Sequence, residues 1–301
     1  MKRWQKRALR VFLLVFVVAF CALALMARSR ARDLMTNPVA MRLMSTSTPA
    51  EYQLPYDDVT VTTSDGLKLV GWYLPSTNGA ALIVQHGYKD SRDMMLKVSA
   101  LFNRHGYGVL IDAVRAHDGS EGELITFGHN EMKDLDAFYR YLATRPDVDP
   151  KRIGMFGVSL GGSLTIQYAA ENPNVRAIAV DCAFSSVTDT VATSVTFFTG
   201  LPAFPFAPMI LFWSERLGGF RARDIDAKLW IGHISPRPVF LMQGGADVVV
   251  SPESGRKLYE AAGEPKELWF DPDLGHVQFF AKHADEFERR VVGFYDRYLV
   301  R

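Results

Sequence analysis

Ile153-Gly154-Met155-Phe156-Gly157-Val158-Ser159-Leu160-Gly161-Gly162-Ser163-Leu164-Thr165 is the stretch that decides how this chain folds. Residues 153–156 are almost continuously apolar, as in a strand covered on both faces. From Gly162 onward the pattern turns helical. Gly157 to Gly161 between them fits G-x-S-x-G, a string that is weak on its own. Its position on a strand-to-helix turn gives it meaning. So tight a turn admits only minimal flanking side chains, which Gly157 and Gly161 supply, while Ser159 projects its hydroxyl above the strand end. The helix that follows aims its first amides at that hydroxyl and favours negative charge there. A glycine-rich turn carrying an ordinary surface serine is the bland alternative, and this context fits it poorly.

Outward from this turn, short apolar runs recur at residues 59–62, 67–73, 81–85, 108–112, 175–180, 239–243 and 266–270. The first two flank Ser64-Asp65-Gly66, a hairpin signal. Helical stretches at 91–104, 131–145, 163–170, 252–262 and 286–299 alternate with the rest. An antiparallel opening pair followed by strand–helix units predicts a mostly parallel, eight-stranded, doubly wound α/β sheet. In such a sheet the chemistry gathers at the carboxyl ends of the strands.

Seven histidines compete for the role of general base. His276 lies in the loop after the last strand, where Gly275 allows a sharp turn, and is the expected partner of Ser159. His105 precedes a strand and is excluded; His283 lies on a polar stretch, and His117 and His129 read as structural. The orienting acid is expected after the penultimate strand, at Asp247 in Gln243-Gly244-Gly245-Ala246-Asp247, with Asp181 and Asp273 as rivals. Ser159, Asp247, His276 is the Ser…Asp…His chain order of nucleophile-elbow hydrolases. A tetrahedral intermediate needs two preorganised donors, expected from the backbone N–H groups of Leu160 and Tyr88. His86, before Gly87, reads mainly as a brace for that loop and is also a pocket candidate.

These elements together resemble the α/β-hydrolase superfamily over residues 56–301, nearest to its serine aminopeptidase-like and prolyl-oligopeptidase-like serine hydrolases. The stretch from Asp112 to Gly122 resembles the family loop D-x-R-G-x-G-x-S-x-G, with Ala116 and Asp118 where that pattern has glycine. Ile234-Ser235-Pro236-Arg237-Pro238 also looks family-like. The resemblance implies ester, thioester or amide hydrolysis, with neither a metal nor an organic cofactor. It does not name a substrate.

A long insertion over about 184–233 predicts a short helical cap. Its aromatic and proline-rich content makes Phe204, Phe206 and Trp213 pocket candidates and suits an apolar acyl group.

Before the body, residues 1–10 form a basic tail and residues 11–27 are seventeen residues without a charge. As a helix they span ~25 Å, near the lower limit for crossing a bilayer. An uncleaved anchor is favoured; a secretory signal cleaved near Ala22-Leu23-Ala24 is the alternative and would release the body as a secreted protein. Lys2, Arg3, Lys6, Arg7 and Arg10 before the span, against Arg28, Arg30 and Arg32 after it, place the N-terminus in the cytoplasm and the catalytic body outside. Residues 28–55 read as a linker.

Composition sets the outer limits. The 301 residues carry a formal charge of +1 and are 48% hydrophobic, which excludes disorder and argues against nucleic acid as the main partner. Cys21 and Cys182 are too few for a disulfide framework and form no CxxC pair. The expected function is a membrane-anchored serine hydrolase cleaving carboxylic esters or thioesters of apolar acyl substrates. A serine peptidase on short peptides and a catalytically silent tethered binding module are the alternatives.

Overall fold

The computed structural model describes residues 2–300; Met1, Arg301 and the side chain of Phe198 lie outside the description, so the basic tail is seen from Lys2. A long helix α1 (Arg3–Met35) leads into one sheet of eight strands. These are β1 (Asp57–Thr62), β2 (Lys68–Leu74), β3 (Ala81–Gln85), β4 (Gly108–Asp112), β5 (Ile153–Val158), β6 (Ile178–Asp181), β7 (Val239–Gly244) and β8 (Lys266–Asp271). Their order is β1-β2-β4-β3-β5-β6-β7-β8, with β2 antiparallel to β1 and β4 and all other pairs parallel. This is the α/β-hydrolase fold expected from the sequence.

Every residue of β3, β4, β5, β6 and β7 is buried, because helices cover both faces. Ala81 and Ile83 of β3 pack on one side with Leu135 and Phe138 of α3 (Glu131–Ala143) and Leu164 of α4 (Leu160–Glu171). Leu82 and Val84 pack on the other with Leu101 and Phe102 of α2 (Leu96–Arg104) and Phe294 near the C-terminus. The C-terminal segment is pinned by Tyr295, whose hydroxyl donates to the Met155 carbonyl at 2.6 Å and accepts from the Ala179 amide at 3.1 Å. The cap comprises α5 (Val187–Thr199), α6 (Ala203–Gly218) and the short α7 (Ala227–Trp230); α8 (Glu253–Ala261) then returns to the sheet.

Two expectations about the N-terminal region need correction. The apolar stretch is helical and exposed, as a span would be, but the helix does not end at Ala27. It runs on to Met35, because Ala27, Ala31 and Met35 form a stripe at helical spacing hidden among arginines; Ala27 and Ala31 bury against Phe206, Ala207 and Ile210 of α6. Nor is the segment to residue 55 a free linker. The Asn37 amide donates to the Glu123 carbonyl at 2.8 Å, and the Ile125 amide to the Met35 carbonyl at 2.7 Å.

Arg42 explains why this segment is ordered. Its buried guanidinium donates to the backbone carbonyls of Asn37, Asp118, Ser120 and Gly122. Ala116 and Asp118, which replace glycine in the family pattern, keep the glycine-like backbone with φ of 62° and 46°. Left-handed backbone costs a non-glycine residue roughly 1–2 kcal/mol. Arg42, the Asn37 side chain on the Ala116 carbonyl, and Arg92 on the Asp118 carboxylate hold the strained loop in place. Arg42→Ala leaves several buried carbonyls without a donor and should cost about 2–3 kcal/mol, read as a lower urea midpoint with an unchanged m-value.

Candidate active site

The tight turn after β5 has the geometry its sequence requires. Ser159 sits at φ 53°, ψ −119°, a backbone conformation rare for any residue with a side chain. A Cβ at Gly157 would collide with the Gly161 carbonyl, and one at Gly161 with the His86 carbonyl and the Gln85 side chain. Neither position leaves room for a side chain. Leu160 opens α4, so its N–H has no acceptor within the helix and points with the helix dipole toward the serine end.

The Ser159 Oγ lies 2.9 Å from His276 Nε2, and His276 Nδ1 lies 2.7 Å from Asp247 Oδ2. Adjacent strands β7 and β8 carry Asp247 and His276 on loops just beyond their carboxyl ends, Asp247 three residues after Gly244 and His276 five after Asp271. Asp247 is buried, which alone would raise its pKa. The His276 hydrogen bond and the Val250 and Val249 amides on Oδ1 outweigh burial and hold it below the ordinary carboxylate range. An ionised Asp247 can only accept, so Nδ1 carries the imidazole proton and Nε2 accepts from the serine hydroxyl.

Neither rival for the acid is hydrogen-bonded to His276. Asp181, at the end of β6, is fully buried with one carboxylate oxygen lacking a hydrogen bond, and burial lifts its pKa to about 7. Asp273 is exposed. Of the other histidines, His105 pairs with Glu288 and His283 with Asp271, both away from Ser159.

The loop after β3 supplies the opposite wall. His117 braces it from behind: its Nε2 accepts the Lys89 amide at 3.0 Å while Nδ1 donates to the Arg115 carbonyl at 2.8 Å. His86 packs 4.7 Å from the His117 ring, and burial pushes the pKa of both imidazoles down. His86 is thus a brace and not a pocket residue. Tyr88 does line the cavity, and its hydroxyl donates to the Leu34 carbonyl at 2.6 Å, tying the loop to the end of α1.

A cavity of about 500 Å³ opens at Ser159 and His276. Its walls are mainly apolar: Phe184 and Val191 from the cap, Phe127, Val277 and, unforeseen, Leu34 of α1. Phe204, Phe206 and Trp213 do not line it. Phe206 is buried against α1, Trp213 lies under Arg28, and Phe204 faces outward, because α6 packs on α1 and leaves α5 to face the serine. Thr190, Val191, Ser194 and Phe197 of α5 take that place; their helical spacing is the signal that would have found them. Asp90 was also missed. Its carboxylate lines the cavity with its pKa raised by burial.

Among the described residues one group of metal-donor type comes together, Cys182 with Asp247 and His276. His276 and Asp247 are already engaged with each other and with Ser159, and burial raises the Cys182 thiol pKa well above its usual value.

Such an elbow on such a sheet defines a serine hydrolase of the α/β type, and comparison with known proteins agrees. A model of the X-Pro dipeptidyl-peptidase (S15 family) matches residues 36–207, and one of the prolyl oligopeptidase family matches residues 125–301. The chain belongs to the α/β-hydrolase superfamily, within the group of serine hydrolases that these models share. It is 27% identical to the uncharacterized protein YfhR of Escherichia coli, over 96% of this chain and 95% of that one. A thiohydrolase, aneE, of Aspergillus aculeatus is 33% identical over 42% of this chain and 41% of its own. The solved structure of an esterase from Pyrococcus furiosus superposes with a TM-score of 0.75 at 29% identity, over 88% of this chain and 98% of that one.

The buried Asp181 yields a pH prediction. Folding raises its pKa from about 4 to about 7, so the folded state binds a proton that the unfolded state has lost across that window. Stability therefore falls as pH rises from about 4 toward 7, and the penalty is complete above it. Asp181→Asn should raise the urea midpoint more at pH 8 than at pH 5; an equal gain at both would show that Asp181 titrates normally.

Proposed function

We propose that the protein is a membrane-anchored carboxylesterase of apolar acyl substrates. The observation that carries this reading is the unbroken hydrogen-bonded chain from Asp247 through His276 to Ser159 at the floor of an apolar cavity. His276 takes the Ser159 proton as Oγ attacks the acyl carbonyl, and the Leu160 and Tyr88 amides receive the oxyanion. Collapse of the tetrahedral intermediate breaks the bond to the alcohol, which leaves with the proton held on His276. Water, deprotonated by the same imidazole, then attacks the acyl-enzyme and releases the carboxylic acid. Thioesters follow the same course with a thiol as leaving group. The similarity to an esterase and, over a shorter stretch, to a thiohydrolase supports this choice of bond.

The α1 helix supports the anchor reading, with the N-terminus in the cytoplasm and the catalytic body outside, on the basis of the five cations before the apolar stretch. A second reading has specific support. Both family models are of peptidases, and Asp90 offers the cavity a carboxylate able to receive a substrate amine. Rates on p-nitrophenyl esters of increasing chain length, measured beside aminoacyl anilides, decide between the two; faster cleavage of the anilides would overturn the esterase reading.

Ser159→Ala should abolish both ester cleavage and labelling by a fluorophosphonate probe. Asp247→Asn should lower kcat by about 10⁴ through the wrong imidazole tautomer, whereas Asp181→Asn should leave kcat within a few-fold. Tyr88→Ala, which keeps its backbone amide, should be milder than Ser159→Ala. Equal losses for Asp247→Asn and Asp181→Asn would overturn the assignment of the acid.

A further inference from the structure

Helix α6 runs parallel to α1, its N-terminal end toward the apolar stretch and its C-terminal end toward Met35. Gly218 at its C-terminal end lies against Met35, Trp213 stacks under Arg28 at 5.5 Å, and Phe206, Ala207 and Ile210 bury with Ala27 and Ala31. Leu201 and Ala203, at the turn between α5 and α6, accordingly pack in the same cluster as Leu23 of α1. Leu23 is four residues inside the apolar stretch, about 6 Å along the helix axis. A membrane crossed by α1 therefore reaches the tip of the cap. Phe204, at that tip, is 81% exposed.

The same helix that ends at this tip walls the catalytic cavity. Val191 and Phe197 of α5 face the cavity two turns apart, and Phe197, two residues from the helix end, is 53% exposed. Leu34 of α1 closes the cavity on the other side. A surface of Val191 and Phe197, with the small side chains of Thr190 and Ser194 beside them, thus runs from Ser159 along α5 toward the level of Leu23. Arg28, Arg30 and Arg32 are exposed just beyond the apolar stretch, where lipid phosphates lie, and the Arg28–Trp213 pair has the character of an interfacial belt.

We propose that the cap tip around Leu201 and Phe204 is immersed in the leaflet that α1 enters, and that the cavity draws membrane-resident long-chain acyl esters from that leaflet. This rests on the reading of Ser159 as nucleophile and of α1 as a membrane span. A chain sliding along α5 presents its ester at Ser159 without leaving that surface.

The test uses the full-length protein reconstituted in vesicles of phosphatidylcholine and phosphatidylglycerol carrying a fluorogenic diacylglycerol ester, with p-nitrophenyl acetate as the water-soluble substrate. Phe204→Asp places a charge at the immersed tip and should slow cleavage of the lipid ester at least ~10-fold. The rate on p-nitrophenyl acetate should stay within about twofold, since Phe204 is outside the cavity. Phe204→Trp should preserve both rates. An unchanged lipid rate in Phe204→Asp, or an equal loss on both substrates, overturns the proposal. Wild-type protein that cleaves neither ester and takes no fluorophosphonate overturns the parent reading instead.

Discussion

A steric constraint at one turn governs the site. The backbone must leave β5 and enter α4 within a residue, and Ser159 absorbs the reversal at a positive φ. That conformation persists only because the surroundings over-determine it. The Ser159 amide is held by the Asp181 carbonyl at 2.9 Å, while Gly157 and Gly161 let the turn close against its own carbonyls and the His86 backbone. The loop bearing Tyr88 and the helix bearing Leu160 are thereby brought to the same side of the hydroxyl. Substituting either glycine would displace the chain that carries one of the two amides, not merely crowd the nucleophile.

The two buried acids near His276 show how environment separates similar groups. Asp181 ends β6, Asp247 lies three residues beyond the end of the neighbouring β7, and both are buried. Asp247 receives two backbone amides and an imidazole N–H, so its charge is solvated by fixed dipoles. Asp181 has no comparable set of donors, and burial disfavours its charged form. Chain position alone left both open as the orienting acid; their donor sets differ.

Much of this was legible in the sequence because it depends on local steric demands. Short apolar runs, nearly continuous in the central strands, a hairpin signal and alternating helical stretches pointed to the eight strands, and glycine spacing pointed to the turns at Ser159, Asp247 and His276. What stayed hidden depends on contacts between distant segments. Leu34 reaches the cavity only because the stripe Ala27, Ala31 and Met35 docks on the protein, and a stripe of three among arginines is a faint signal beside a Ser/Thr/Pro-rich stretch. The aromatic content of the insertion pointed to Phe204, Phe206 and Trp213. Composition cannot say which of two consecutive cap helices faces the serine, and α5 does. Ala116 and Asp118 in glycine positions are explained by Asn37 and Arg42, each more than seventy residues away, and by Arg92.

The docking of α1 joins the long helix and the site through a single loop. The last carbonyls of a helix have no partner within it, and at the end of α1 those of Leu34 and Asp33 accept from the Tyr88 hydroxyl and the Lys89 ammonium. Lys89 is also the residue whose amide His117 holds from the opposite side. The loop is therefore clamped between a buried imidazole and the end of the long helix, with its 88 and 89 side chains serving the helix and its backbone facing the cavity. A flexible linker at this point would leave both carbonyls to water and remove Leu34 from the cavity wall. The rigid continuation fixes the serine at a set distance from the apolar half of α1, so the direction of that helix sets the orientation of the cavity.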